Sequence, residues 1–240
     1  MKSPSKLWSW LSLALPILLV VVGLVLNGYA AIELRQPSPR PVSITIPVGT
    51  QQADAADSLA AAGKPQFGHF PYREANTATL IPIGSYAQGK NQRFERLAPE
   101  AALALMQMIY AARDDGVWIV PVSGFRTLAA QDALFERQIQ RQGSPAAAAQ
   151  VSAPPGHSEH HTGYAIDLTD GRFPRHDISE QFAKTDAFRW LTRHGKTFGF
   201  ELSFPENNPQ GVRYEPWHWR FVDSLAAQRT FEPARQDVEE

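Results

Sequence analysis

The sequence predicts an α+β domain built on a small, mostly antiparallel sheet with flanking helices. Segments with helical spacing of apolar residues are mixed with short segments in which apolar and polar residues alternate. The two kinds of segment do not follow one another in a regular βαβ order, which argues against a parallel sheet. A long uncharged run and a stretch rich in Pro, Ala, Gln and Ser precede these segments, so we place the folded part towards the C-terminal side of the chain.

The first element is an N-terminal membrane segment over residues 1–32. Lys2 and Lys6 precede an uncharged run from Leu7 to Ile32, which is about the length of a membrane-spanning helix, roughly 20 residues. The run exceeds the apolar region of a typical signal peptide, roughly 7 to 15 residues. We therefore expect an uncleaved anchor, although the small residues of "NGYAA" leave a cleaved signal open. In both cases the remaining chain is expected on the extracytoplasmic side of the cell membrane.

Composition divides the rest of the chain into three parts. Residues 33–66 supply little that could pack and predict a flexible linker. Residues 67–225 contain the alternating and periodic segments and predict one folded domain. Residues 226–240, ending in "EPARQDVEE", predict a polar, frayed tail.

The first half of the predicted domain contains two helices and a strand. Pro99 suits a first helical turn and Gly116 suits a stop, so "APEAALALMQMIYAARDDG" predicts a helix. Its apolar residues at helical spacing predict a core face formed by Ala102, Leu103, Met106 and Tyr110. "VWIVPVSGFR" predicts a strand that runs into a glycine turn, and "TLAAQDALFERQIQRQG" predicts a helix capped by Thr127. Arg126 should then lie at a strand-to-helix junction, a position that commonly faces a cleft, and the residues alone leave an ordinary surface or ion-pair arginine open as well.

The second half contains the remaining strands. Residues 143–163 have the composition of a loop, and "YAIDL" after them alternates as a strand. "AFRWLTRHGKTFGF" predicts a helix, and "FELSF" and "WHWRFV" predict two further strands.

Charge and cysteine content exclude several kinds of protein. Twenty-three basic and twenty-four acidic residues leave a net charge of -1, and there is no basic stripe to follow a phosphate backbone, so nucleic acid is not an expected partner. The chain has no cysteine, which excludes disulfides, thiolate nucleophiles and cysteine-ligated zinc. Any metal must be held by His, Asp and Glu.

His160 and Asp167 form the first candidate pair for chemistry. Gly163 permits a tight turn after the histidine, and the strand "YAIDL" places Ala165 and Asp167 on one face. A carboxylate in an apolar strand is costly unless it is paired, hydrogen-bonded or bound to a metal. Asp167 could equally be satisfied by backbone amides of the "DLTDG" turn, so these residues alone leave both interpretations open.

The second candidate group lies in "YEPWHWRF". His218 and Arg220 share one face of the predicted strand, and aromatic residues occupy the other face. Glu215 precedes Pro216, which favours an extended backbone and keeps the carboxylate near the start of the strand.

Two histidines and one aspartate match the ligand types of a catalytic zinc, which keeps a fourth position for water. Zinc lowers the pKa of that water, and a carboxylate that is not a ligand can take its proton. Glu215 suits this role. The chain lacks the HExxH helix, so another class of zinc hydrolase is indicated.

Two motifs together resemble a known family. "SEHHTGYAID" fits SxHxxGxAxD, and "EPWH" fits ExxH some fifty residues later. With "SGFRT" upstream, this pattern resembles the VanY-type D-alanyl-D-alanine carboxypeptidases, zinc peptidases that act on peptidoglycan. The likeness covers roughly Leu80 to Val222.

The resemblance implies the metal ligands and the base. It implies that Zn2+ is bound by His160, Asp167 and His218 and that Glu215 is the catalytic base. His157 and His161 fall outside the motif and are interpreted as loop residues or as neighbours of the site. The remaining histidines have no motif support as ligands, namely His69, His176 and His194.

The resemblance also implies how substrate binds. Arg126 would bind the terminal carboxylate, which a guanidinium can hold through two parallel hydrogen bonds. Ser158 and Gln131 would assist. Phe125 stands where many relatives have Tyr, so a hydroxyl contact made there in the family would be missing.

The function implied is zinc-dependent D,D-carboxypeptidase activity that removes the terminal D-Ala from peptidoglycan stem peptides. An L,D-carboxypeptidase or a D,D-endopeptidase with the same zinc site remains an alternative. A wall-binding module without catalytic activity is a third hypothesis, against which the complete set of ligands and base argues.

Overall fold

The computed structural model describes residues 63–86 and 92–236. The expected membrane segment, most of the expected linker and the last four residues of the expected tail lie outside these residues. Within the described ranges, no helix combines the length and the apolar character needed to cross a membrane.

The strands form two small antiparallel sheets, as the sequence predicts. The two-stranded sheet pairs β1, Ile81–Tyr86, with β2, Arg93–Leu97. The four-stranded sheet has the order β3, β4, β6, β5, and each neighbouring pair in it is antiparallel. Its strands are β3 Ile119–Ser123, β4 Ala165–Asp170, β5 Phe200–Leu202 and β6 His218–Phe221.

The α-helices of the described chain are α1 Pro99–Asp114, α2 Leu128–Gln142, α3 Pro145–Ala149, α4 Asp186–His194 and α5 Leu225–Gln236. Thr127 caps α2 as predicted, because its hydroxyl accepts a hydrogen bond from the Ala130 amide at 3.1 Å. The predicted loop over 143–163 differs from the structure, since it contains α3. Ser144 caps this short helix and Pro145 occupies its first turn, which are both favourable starts.

The predicted core face of α1 is displaced around the helix. The buried residues of α1 are Ala101, Ala102, Leu105, Met108 and Ala112. Leu103 and Tyr110 are 58% and 57% exposed, so the prediction that they belong to the core is wrong. Apolar residues surround much of this helix, and two different stripes therefore fit a helical period equally well.

The expected polar tail is instead largely helical. In α5, Ala227, Phe231 and Ala234 are buried, and their spacing of four and three residues places them on one face. The Phe231 ring contacts the Tyr72 ring edge-on, with centroids 5.6 Å apart. Residues 226–236 are therefore held by packing, and the prediction of a frayed tail is wrong for them.

The core lies against one face of the four-stranded sheet. Ile166 and Leu168 of β4 and Trp219 and Phe221 of β6 pack with buried side chains of α1 and α4. The opposite face of β4 and β6 carries polar side chains, yet every residue of both strands is buried. Buried polar groups require partners, so this second face needs a network of hydrogen bonds and charges.

Candidate metal centre and active site

Three neighbouring strands place polar side chains in a row across the buried polar face. Asp167 of β4 lies opposite His218 of β6 on one side and opposite Ser123 of β3 on the other. Residues directly opposite each other in an antiparallel pair share a face. Asp167 Oδ1 lies 3.0 Å from His218 Nδ1. Strand register therefore brings together two residues that are 51 positions apart.

His160 reaches the same place from a turn of 3-10 helix, Glu159–Thr162. Gly163 ends this turn with a φ of 73°, a left-handed conformation that favours glycine. His160 Nδ1 lies 2.7 Å from the Gly124 carbonyl oxygen, which can only accept, so Nδ1 carries the proton. His160 Nε2 then faces Asp167 Oδ2 at 3.3 Å.

His160, Asp167 and His218 form a group that can hold a metal ion. One ligand atom from each lies within 4.8 Å of the others, and all three residues are buried. Two imidazole nitrogens and a carboxylate oxygen are ligand types that zinc prefers in catalytic sites. The structure thus brings together the three ligands that the sequence indicates.

Without a cation in this group, the proton distribution is uneven. Burial lowers the pKa of His160 to about 4, so this imidazole is neutral at pH 7. Burial also disfavours the charged form of His218, but hydrogen bonds to Asp167 and Glu159 outweigh this and raise its pKa to about 10. Burial likewise opposes ionisation of Asp167, yet the two histidines hold its pKa well below its usual range. The group is therefore strongly polarised and has a cation between two carboxylates.

Glu215 lies at the entrance to β6 beside this group. Its amide donates to the Phe204 carbonyl at 3.0 Å, and its carbonyl accepts from the His218 amide at 3.1 Å. Burial, opposed by His218 and reinforced by Asp167, raises the pKa of the Glu215 carboxyl to about 8. A carboxyl group that titrates near neutral pH can both accept and return a proton.

A cavity of about 280 Å³ opens onto the group. Glu215, Arg126, Ser158 and Trp217 all line it. Gln131 lines it as well, so the predicted base and all three predicted substrate-binding residues share one pocket with the group that can hold a metal ion.

Arg126 is held in a fixed orientation within the cavity. Its Nη1 donates to Gln131 Oε1 at 2.8 Å, and its Nη2 donates to Ser123 Oγ at 3.0 Å. Nη2 also lies 3.9 Å from Asp167 Oδ2. Gln131 is 1% exposed and donates from Nε2 to the Ala153 carbonyl at 2.6 Å. The structure therefore places Gln131 as a support for Arg126 at the wall of the cavity.

Hydrogen bonds to three other residues fix the glycine turn before Arg126. The Gly124 amide donates to Glu95 Oε2 at 2.7 Å, and the Phe125 amide donates to the Arg96 carbonyl at 2.8 Å. A Cβ atom at Gly124 would lie 2.5 Å from that same Arg96 oxygen. Since the Gly124 carbonyl accepts from His160, this turn fixes one member of the candidate metal-binding group as well as Arg126.

Sequence reasoning missed the residues that surround His218 on its other side. Glu159 and Ser203 are buried, and the Ser203 hydroxyl donates a hydrogen bond to the Glu159 carboxylate. The same carboxylate is hydrogen-bonded to His218 and to Arg220. Arg220 had one sequence signal, its position on the same strand face as His218. Glu159 had none beyond its place between two motif residues.

Three further histidines, two in the motif region and His69 outside it, contact backbone groups. His161 Nδ1 lies 2.7 Å from the Arg126 carbonyl, and its Nε2 accepts from the Gly156 amide at 3.1 Å. His157 contacts the carbonyl oxygens of Pro155 and Lys64. His69 lines the cavity, with its Nε2 2.7 Å from the Ala149 carbonyl. None of these three belongs to the metal-binding group of the described residues.

The fold and the site together define a protein with a candidate metal-binding centre, beside a cavity, on a small antiparallel sheet. The family model for VanY, D-alanyl-D-alanine carboxypeptidase, matches residues 94–224. The chain belongs to this family, and the resemblance found from its motifs is confirmed.

The chain is also similar to individual curated proteins and solved structures. YodJ of Bacillus subtilis (strain 168), provisionally named a carboxypeptidase, is 35% identical over 150 residues, 62% of this chain and 54% of its own length. The solved LdcB LD-carboxypeptidase superposes with a TM-score of 0.58 at 28% identity, covering 69% of this chain and 79% of that one. A solved D,D-pentapeptidase VanY in complex with Zn(II) has a TM-score of 0.48 at 25% identity, covering 72% and 99%. The chain spans about half the length of the curated relatives it matches.

Proposed function

We propose that this protein is a zinc-dependent D,D-carboxypeptidase that hydrolyses the terminal D-Ala from peptidoglycan stem peptides. The observation that carries the proposal is the position of Glu215 and Arg126 in one cavity with the His160, Asp167 and His218 group. A metal site, a proton carrier and a carboxylate-binding cation are the three parts that such a reaction requires.

Zinc fits the donor set. His160 presents Nε2, because its Nδ1 donates to a carbonyl, and His218 presents Nδ1 towards Asp167. All three residues line the cavity, so a zinc ion held by them would be open to water and substrate, and a catalytic zinc keeps one position for water. When bound there, zinc supplies a Lewis acid that polarises the scissile carbonyl and lowers the pKa of water.

Arg126 binds and orients the substrate. Its guanidinium can hold the terminal carboxylate of a stem peptide through parallel hydrogen bonds. Gln131 and Ser123 fix the guanidinium before substrate arrives. Such fixed positioning contributes to catalysis because little freedom is lost at the reacting step. Ser158, at the wall of the same cavity, assists in binding.

Glu215 moves the proton. Its carboxylate takes a proton from the attacking water as a C–O bond forms at the carbonyl of the penultimate residue. It then gives this proton to the leaving D-alanine nitrogen as the C–N bond breaks. The raised pKa of Glu215, about 8 before a cation is added, supports a group that exchanges protons near neutral pH. The proposal makes Glu215 the catalytic base and then the acid.

The proposed location is the extracytoplasmic side of the cell membrane, with residues 1–32 as a single-pass anchor. Support comes from the length of the uncharged run and from the lysines that precede it. Peptidoglycan stem peptides are found on that side. Protease treatment of intact spheroplasts should digest the C-terminal domain if this location is correct, and protection of the domain would contradict it.

L,D-carboxypeptidase activity is the second candidate. The likeness to the LdcB LD-carboxypeptidase favours it, because the two folds superpose over most of the described domain. D,D-endopeptidase activity has less support, since it would not use a clamp for a terminal carboxylate.

Defined muropeptides test the proposal. The full chain is incubated with a pentapeptide and with a tetrapeptide stem, each with and without a zinc chelator, and the products are read by mass spectrometry. We expect loss of one D-Ala from the pentapeptide only, and none with chelator present. Cleavage of the tetrapeptide alone would establish the L,D alternative, and chelator-resistant cleavage would contradict zinc dependence.

A further inference from the structure

The buried Glu159 carboxylate lies on the far side of His218 from the metal group. Its Oε2 is 2.9 Å from His218 Nε2, the ring nitrogen that faces away from Asp167. Nδ1 of the same ring faces Asp167 at 3.0 Å. Glu159 is therefore placed to touch the metal ligand without belonging to the metal group itself.

Both oxygens of Glu159 are engaged. Oε2 also accepts from the Ser203 hydroxyl at 2.6 Å, and Oε1 accepts from Arg220 Nη1 at 2.9 Å. Glu159 is 3% exposed and Arg220 is 4% exposed. A buried carboxylate is tolerated when a cation and hydrogen bonds compensate its charge, and removal of one partner costs more than the pair contributes. The contacts thus hold Glu159 ionised and immobile against the ring.

Arg220 makes further contacts on the side away from Glu159, with Glu201 and with α5. Its Nε donates to Glu201 Oε1 at 2.8 Å, and Arg235 Nε of α5 reaches the same oxygen at 3.1 Å. The Arg220 guanidinium also lies over the Phe231 ring of α5, 5.3 Å from its centroid. Charges of alternating sign therefore run from Glu159 through Arg220 and Glu201 to Arg235 of α5.

A histidine that binds a metal through one nitrogen usually donates from the other to a carboxylate or carbonyl, which fixes its tautomer and orientation. His160 has the Gly124 carbonyl in this role, and His218 has Glu159. His218 would be neutral once a metal cation replaces its Nδ1 proton, and the hydrogen bond from Nε2 to Glu159 would then keep the Nδ1 lone pair directed at the metal group.

We propose that Glu159 is a positioning residue that fixes the tautomer and orientation of His218 for zinc, with Arg220 compensating its charge. The inference rests on the proposed function, because it requires a metal at His160, Asp167 and His218. Nothing in the reaction requires Glu159 to contact substrate, so its effect should appear in metal binding first.

Zinc affinity of the full chain tests this directly. Glu159→Gln keeps the shape of the side chain but removes its charge, and zinc affinity, measured by competition with a chromophoric chelator, should fall about 10- to 100-fold. Co2+ bound in place of zinc should show a shifted visible absorption band in the same variant, because the His218 ligand is held differently. A role in folding alone would leave both readouts unchanged in a folded protein.

Glu201→Gln is the matched control. It removes a carboxylate that contacts Arg220 and Arg235 but not His218. Zinc affinity should stay within about twofold of the original, well short of the roughly 10- to 100-fold loss expected for Glu159→Gln. A folded Glu159→Gln protein that binds zinc as tightly as the Glu201→Gln protein would overturn the proposal.

A double variant keeps the test decisive if Glu159→Gln does not fold. Glu159→Leu with Arg220→Leu removes both charges of the pair, so that no lone buried charge remains. We expect this protein to fold and to lose zinc affinity at least as much as a single neutral substitution would. Unchanged zinc affinity in it would overturn the proposal.

Zinc binding and hydrolysis, both measured on the original protein, distinguish failure of this inference from failure of the proposed function. If it binds zinc but hydrolyses no stem peptide, the proposed function fails while the comparison of Glu159 variants still decides the positioning role. If it binds no zinc, both are overturned.

Discussion

Asp167 and His218 face each other across the β4–β6 pair, and their Oδ1 and Nδ1 atoms lie 3.0 Å apart. This contact follows from strand register rather than from sequence proximity. A shift of register by one residue would turn one of the two side chains to the opposite face of the sheet. The pairing of β4 with β6 therefore fixes the positions of Asp167 and His218 relative to each other.

Loss of a metal ligand should abolish both metal binding and activity. In His160→Ala, two donors remain, which is fewer than a catalytic zinc site uses. We expect no stoichiometric zinc after dialysis, measured by atomic emission, and no release of D-Ala. His157→Ala is the control, because that ring contacts carbonyl oxygens outside the group. Stoichiometric zinc in His160→Ala would show that the ligand is another residue.

Arg126→Ala should discriminate between substrates by their C-terminus. Without the guanidinium, a free terminal carboxylate loses a charge-assisted contact, and kcat/KM should fall about 10- to 100-fold. An amidated pentapeptide, already a poor substrate, should be affected much less. Arg137→Ala, an exposed arginine of α2, should leave both rates unchanged. Equal losses on the two peptides would contradict the carboxylate clamp.

Gly124→Ala should loosen both the metal ligand and Arg126. The added Cβ would meet the Arg96 carbonyl oxygen at 2.5 Å, so the turn must move. We expect unfolding free energy to fall by about 1 to 3 kcal/mol and zinc affinity to fall with it. Gly84→Ala is the matched control, since no atom lies within 4 Å of its Cβ position. The turn would not be under the constraint described if both variants unfolded at the same denaturant concentration.

His69 should contribute to loss of stability in mild acid. Burial lowers the pKa of this histidine below 6.5, its ordinary value. The unfolded chain therefore takes up a proton as pH falls through 6.5 while the folded protein does not, and stability decreases. Thermal unfolding of His69→Gln should change less between pH 7.5 and about pH 5 than that of the original protein, because Gln does not titrate. Identical changes in the two proteins would contradict a buried, neutral His69.

Elements with a strong local pattern were predictable. The helix capped by Thr127 and the strand "YAIDL" follow from capping and alternation, and both are present. The stripe of α1 that faces the core was not predictable, because several apolar stripes compete on one helix. Helix α5 was missed because few apolar residues, among them Phe231, hold it through tertiary packing alone.

Some residues of the site could be predicted from the sequence and others could not. His160, Asp167 and His218 could be named from motif residues of metal-binding type, and register and turn geometry bring them together. The roles of Gln131 and Glu159 could not be derived, because they depend on side-chain contacts with Arg126 and His218. Such contacts between residues distant in sequence leave no local pattern.

The paired zinc content and hydrolytic rate of Glu215→Ala test the central claim most directly. Because Glu215 is proposed to carry a proton and not to bind the metal, the variant should bind one zinc per chain like the original protein. Its rate of D-Ala release from a pentapeptide stem should fall about 100- to 10,000-fold. Full zinc content with an unchanged rate would contradict the assignment of Glu215 as the base.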